Sequence, residues 1–123
     1  VFLSEAGVPE DKVVFAVIGE SADQPILGQL AVACGIKNRP EGLQGVNGAD
    51  LKRIPTEKEY ANAGFAVYLS EFQGFDYCWY LIQGADMWCS DLDVCNKAWT
   101  GVPMVFVKKI YDHYFFRRLK GGE

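Results

Sequence analysis

The stretch Ala16–Arg39, AVIGESADQPILGQLAVACGIKNR, decides how this chain is read. An apolar run ends in an acid, Glu20, and a second apolar run closes on Asn38 and Arg39. Between them, Ser21 to Gln24 form a short polar turn, and Pro25 is placed to open the next helix. Glu20 follows Val17 by three residues, Ala16 by four and Val13 by seven. On a helix those positions share one face, so the carboxyl points where the apolar stripe points. Partial desolvation there disfavours the charged form, which suits a group that must hand over a proton. The alternative is a helix that frays at Gly19 and leaves Glu20 in water.

Working outward, Pro9, Glu10 and Asp11 read as the first turn of the helix carrying Glu20. In the second helix, Ile26, Leu27, Leu30, Ala33, Cys34 and Lys37 trace one side, and Pro40 stops it. Glu41 to Pro55 is rich in Gly, carries Asn47 as well, and reads as a long loop. Thr56 and Glu59 make a capping box for a third helix. Its core-facing stripe is expected to be Ala61, Phe65, Tyr68, Leu69 and Phe72, with Gly74 ending it. Beyond Gly74 no period is sustained, and MVFVKKIYDHYFF fits either a helix or two short strands. The fold class expected is mainly α (α+β) with a small β element, in one domain spanning 1–123.

Composition narrows the function classes. Half of the 123 residues are hydrophobic and 14% are aromatic, enough for one packed core and against disorder. A net charge of −4 with scattered Lys and Arg argues against a nucleic-acid partner. No apolar run reaches the length of a membrane span. The start at Val1, without a signal-peptide pattern, reads as a mature form or an excised domain, and KGGE as a flexible end. Cys34, Cys78, Cys89 and Cys95 lack the close double pairs of a zinc site. Cys89 and Cys95 bracket a short polar loop and are the easiest to bridge, whereas Cys34 also reads as a small buried hydrophobe. A disulfide would favour an oxidising compartment.

Other polar groups are weaker candidates. Gln29 and Asn38 lie nine residues apart on one helix and cannot both face one site. Arg39 suits a helix C-terminus by dipole alone. Asp23, Asp50, Asp86, Asp91 and Asp93 are candidates for a second carboxylate, and Asp86, Asp91, Asp93 and Asn96 lack the spacing of a calcium loop. His113, the only histidine, has no Ser or Cys motif beside it. Trp79, Trp88 and Trp99 read as core residues or as platforms for sugar rings.

The opening stretch resembles the SleB-type cell-wall hydrolases, the spore-cortex-lytic enzymes and their phage and bacterial relatives. The matching residues are Gly19, Glu20, Gly28, Gln29, Ala31, Val32, Ala33, Asn38 and Arg39, followed by Gly84-Ala85 and by Ile110, Asp112, His113 and Phe115. Glu20-Ser21 is also similar to the Glu-Ser pair of soluble lytic transglycosylases. The chain departs from the family pattern at Ser21–Gln24, where Ala-Arg-Gly-Glu is usual, at Pro40, and at Tyr111, which stands where the family has glycine.

The resemblance implies a lysozyme-like domain that cuts peptidoglycan glycan strands between N-acetylmuramic acid and N-acetylglucosamine, as a lytic transglycosylase or, with a placed water and one of the aspartates, as a muramidase. In it Glu20 is the catalytic acid; Ser21, Gln29, Trp88 and His113 bind substrate, with Gln29 and Asn38 also supporting the catalytic turn. It implies no metal and no cofactor, and a periplasmic, extracellular or phage-derived setting at the cell envelope; the oligomeric state is left open, with a monomer favoured. Two competitors remain: a non-catalytic glycan-binding or structural module of the same fold, and a small disulfide-bonded interaction protein.

Overall fold

A computed structural model describes residues 10–120. Pro9 and the last three residues, which carry two of the expectations above, lie outside the described residues. Among the described residues, five α-helices and a small three-stranded antiparallel sheet make an α+β arrangement. Helix α1 spans Glu10–Ser21, and α2 spans Ile26–Asn38. The turn between them falls where the polar run and Pro25 place it. Arg39 is extended, as the residue before a proline prefers, and α2 stops there.

Helix α2 differs from its expected one-sided stripe. Gly28 to Ile36 are all buried, so the helix is enclosed on every side. α1, α3 (Glu57–Ser70), α4 (Tyr77–Ile82) and β1 (Met87–Cys89) all pack against it. Val13, Ala16, Val17 and Ile18 of α1 and Phe115 of the sheet join α2 in one core. The Cys34–Cys78 disulfide ties α2 to α4 inside that core, and Cys34 is wholly buried.

The capping box forms: Thr56 Oγ1 accepts from the Glu59 amide, and Glu59 accepts from the Thr56 amide. The Arg53 guanidinium, with that amide, holds the Glu59 carboxyl down at about 2. The buried face of α3 is Ala63, Ala66, Val67 and Ser70, not the aromatic stripe. Ala61, Phe65, Tyr68 and Phe72 are exposed, and Leu69 is half-buried. Small side chains let α3 approach α1 and α2 closely, which excludes rings from that interface. The helix also ends at Ser70, before Gly74.

The irregular half resolves into short elements. After α4, β1 leads into α5 (Leu92–Ala98), then β2 (Met104–Ile110) and β3 (His113–Arg118) form a hairpin. The sheet order is β1-β3-β2, with Trp88 opposite Phe115 and Ile110 opposite His113. A bulge falls between Phe106 and Lys108. The two-residue hairpin loop is Tyr111-Asp112, and Tyr111 adopts a left-handed φ of 51°. The long loop after Pro40 contains a short 3-10 turn, Asn47–Ala49, packed against α1. No helix among the described residues is long and apolar enough to cross a membrane.

Candidate functional site

Glu20 stands in the last turn of α1, half-buried, above the apolar face formed by Val13, Ala16 and Val17. Both of its oxygens are held. Trp88 Nε1 donates to Oε1 at 2.8 Å, and the Gly48 amide donates to Oε2 at 2.7 Å. A carboxyl with one donor on each oxygen keeps lone-pair sites for a proton while its orientation is fixed. The two donors come from elements far apart in sequence, and each arrives through a glycine.

The 3-10 turn touches α1 where Gly19 meets Gly48. A β-carbon on Gly19 would collide with the Gly48 carbonyl, and one on Gly48 would lie 2.6 Å from the Glu20 nitrogen. Only two glycines permit the backbones to approach so closely. On the other side, Trp88 lies over Gly35 of α2, where a β-carbon would sit 2.8 Å from the indole ring. Trp88 is buried but for its edge toward Glu20 and the cavities there.

Arg39 holds the loop that presents Gly48. Its Nε donates to the Gly42 carbonyl at 3.1 Å, Nη2 to Gln44 at 2.6 Å and Nη1 to Asp86 at 3.1 Å. Its guanidinium also lies 5.9 Å from the centre of the Trp88 ring, within cation–π range. Burial lowers its pKa, with Glu41 and Asp86 pulling the other way. Arg118 completes the frame. It binds Asp86 through its amide at 2.9 Å and through Nε at 2.8 Å, and it pairs with Glu41. That pairing raises the Arg118 pKa and lowers that of Glu41.

Three open cavities of about 380, 320 and 300 Å³ all include Glu20 in their walls. The first is polar, with Asp23, Lys109, Asp112 and His113 around it. The second runs beneath α5, past Val94, Cys95 and Trp99. The third lies between Trp88 and the loop held by Arg39. Glu20 therefore sits at the junction of a trough rather than on a flat surface. Gln24 fastens one end of it: its Nε2 donates to Asp112 Oδ2 at 2.9 Å, and its Oε1 accepts from the Asp112 amide at 3.2 Å. That pair joins the α1–α2 turn to the hairpin loop.

Of the residues expected to bind substrate, Trp88 and His113 line the trough with Glu20. The His113 imidazole lies near the Glu20 main chain, so it backs the acid as well as facing the cavity. Burial lowers its pKa against the pull of Glu20, Asp23 and Asp112, and its Nδ1 is buried without a partner among the described residues. Ser21 and Gln29 do not reach the trough. Ser21 is 1% exposed, and its hydroxyl donates to the Val17 carbonyl at 2.7 Å. Gln29 is 2% exposed and donates to the Gln24 carbonyl at 2.9 Å. Helix geometry turns both inward, so they brace the turn from behind. Asn38 braces the far end of α2, donating to the Ala85 carbonyl at 2.9 Å.

The aspartates separate. Asp86 is taken by Arg118, Asp91 caps α5 and Asp50 pairs with Lys52. The Asp86–Asp91–Asp93 set does not converge, and among the described residues no group of three or more His, Cys, Asp or Glu could hold a metal ion. Asp23 faces the trough and accepts no hydrogen bond among the described residues. Gly48, Gln24 and Lys109 were missed by sequence reasoning. Only Gly48 left a signal, as one glycine of a Gly-rich loop.

No protein-family model, curated protein or solved structure matches the chain. What the site can do therefore rests on its own geometry: an oriented, half-buried carboxyl at the floor of a trough with aromatic and acidic walls.

Proposed function

We propose that the chain cleaves the glycan strands of peptidoglycan between N-acetylmuramic acid and N-acetylglucosamine, as a lytic transglycosylase with a lysozyme-like arrangement. One observation carries the reading: Glu20 is clamped by Trp88 and Gly48 at the meeting point of three cavities. The resemblance of Ala16–Arg39 to SleB-type hydrolases supports it.

In the first step Glu20 gives its proton to the glycosidic oxygen, the C1–O bond breaks, and the N-acetylglucosamine side leaves with its 4-hydroxyl restored. The acetamido carbonyl of the muramoyl sugar supports the cationic centre. Glu20, now a carboxylate, takes the proton of that sugar's 6-hydroxyl as its oxygen closes onto C1. The product is a 1,6-anhydro end, and no second carboxylate is required. The Trp88 and Gly48 donors stabilise Glu20 in the charged state that lies between the two steps.

Every group named comes from one chain, so the reading favours a monomer. Two disulfides suit an oxidising setting at the cell envelope, periplasmic or extracellular, including a phage particle. A second course is favoured by Asp23, a carboxylate of the trough that accepts no hydrogen bond among the described residues. It could direct a water onto C1 and yield ordinary reducing ends. Mass spectrometry of fragments released from purified sacculi tests the reading. Anhydro ends support transglycosylation, and reducing ends support the Asp23 course. Retention on sacculi without release leaves a glycan-binding module.

A further inference from the structure

The Cys89–Cys95 disulfide joins two parts of the trough that little else connects. Cys89 ends β1 directly after Trp88, the donor to Glu20 Oε1. Cys95 belongs to α5, whose Val94, Cys95 and Ala98, with Trp99 beyond its end, form the wall opposite Glu20 and His113. That helix has seven residues, and Cys95 is its only buried one. Val94 is 61% exposed, and Cys95, itself buried, does not belong to the main hydrophobic cluster. A helix this short is marginal in water without tertiary anchors. Among the described residues α5 is also tied by the Asp91 cap and by the edge contact of Trp99 with Phe116 at 5.8 Å. The remaining disulfide is placed differently. Cys34 and Cys78 are 0% and 5% exposed, deep between α2 and α4. Cys89 is partly open to solvent in the trough wall.

We propose that the Cys89–Cys95 bond is a redox-operated clamp: a dithiol reductant releases the α5 wall and loosens the trough while the core disulfide and the fold persist. Its effect on glycan cleavage rests on the proposed function; the release of the wall does not. The thiolate of the dithiol attacks Cys89 Sγ, forming a mixed disulfide as the Cys89–Cys95 bond breaks and Cys95 leaves as a thiolate. The second thiol of the reductant then displaces Cys89. Two electrons and two protons pass to the protein, and the reductant becomes a cyclic disulfide. Reoxidation reverses the exchange and re-forms the wall. Local opening of this kind falls on the least anchored segment of a fold.

The test is graded reduction of the full chain with dithiothreitol, read by thiol labelling, hydrogen exchange and sacculus cleavage. Cys89 and Cys95 label before Cys34 and Cys78, the amides of α5 lose protection, and the amides of α1 to α3 keep theirs. KM for sacculi rises severalfold while kcat is largely kept. The Cys89→Ser/Cys95→Ser variant shows the same α5 exchange without reductant and no longer responds to it. Should that variant fail to fold, the titration of the unaltered chain still decides. Earlier labelling of Cys34 and Cys78, or unchanged α5 protection once Cys89 and Cys95 are reduced, overturns the proposal. If the oxidised chain cleaves no sacculi, the functional reading fails, and the exchange data still judge the clamp.

Discussion

Trp88 and Glu20, 68 positions apart in the chain, meet through one hydrogen bond of 2.8 Å from the indole nitrogen to Oε1. The bond has two preconditions. Gly35 makes room for the indole on α2, and Arg39, close to the ring, secures the loop on the other side of Glu20. Removing the donor while keeping an aromatic ring isolates its contribution. Trp88→Phe is expected to lower the initial rate of glycan release about tenfold or more, the worth of a hydrogen bond to a charged group. Far-ultraviolet circular dichroism should be unchanged. A full rate would show that the indole only packs.

Gly48→Ala strikes the second donor. The added methyl meets the Glu20 main chain, so the 3-10 turn must withdraw from α1 and take its amide with it. Destabilisation of about 1–3 kcal/mol is expected, the range for overpacking. Denaturant unfolding measures it, and activity should fall further than Trp88→Phe makes it fall.

Much of the first half of the fold was legible because its signals are local. Pro25, Pro40 and the Thr56–Glu59 box each act within one turn of chain, and the structure places helix ends at all three. The contact of Gly19 with Gly48 is not local, and nothing in either segment names the other. The aromatic stripe of α3 misled for a physical reason. Phe65, Tyr68 and Phe72 are more hydrophobic than Ala63 and Ala66, but the close approach to α1 and α2 admits only the smaller set. The same limit applied to Ser21 and Gln29. The resemblance of Glu20-Ser21 and Gly28-Gln29 to a glycan-cleaving family suggested contact with substrate, whereas helix rotation buries both side chains. Elements after Gly74 are short and fastened by disulfides and side-chain bonds, which leave no period to read.

The core disulfide should matter most to stability. Cys34–Cys78 closes a long loop, with a sequence separation of 44. Replacing both cysteines with alanine is expected to lower unfolding free energy by about 2–4 kcal/mol in urea titrations. A loss near zero would mean that packing alone joins α2 to α4.

His113 supplies a pH dependence with a defined sign. Burial lowers its pKa below the ordinary 6.5, so the folded chain keeps it neutral where the unfolded chain takes up a proton. Its contribution is complete above about 6.5 and is lost as pH falls from there through the lower native value. Urea midpoints should therefore decline on acidification from neutrality. In His113→Asn the slope just below neutrality should flatten. An unchanged slope in the variant would assign it to other groups.

Tyr111 sits at a left-handed φ where the resembled family carries glycine. Left-handed geometry disfavours a residue with a β-carbon by about 1–2 kcal/mol. Tyr111→Gly should recover about 1 kcal/mol of that, part being offset by the ring's packing near Gly28. Thermal unfolding reads the gain directly, and a clear loss would show that the ring contact outweighs the strain.

The proposed glycan cleavage depends on Glu20 as its proton donor, and Glu20→Gln addresses that role with almost no change in shape. The decisive measurement is the initial rate of fragment release from purified sacculi by the two chains side by side, with binding to sacculi recorded for both. The account predicts retained binding and a rate lowered about 10²–10⁴-fold, the usual contribution of a positioned acid. Equal rates from the two chains would contradict it.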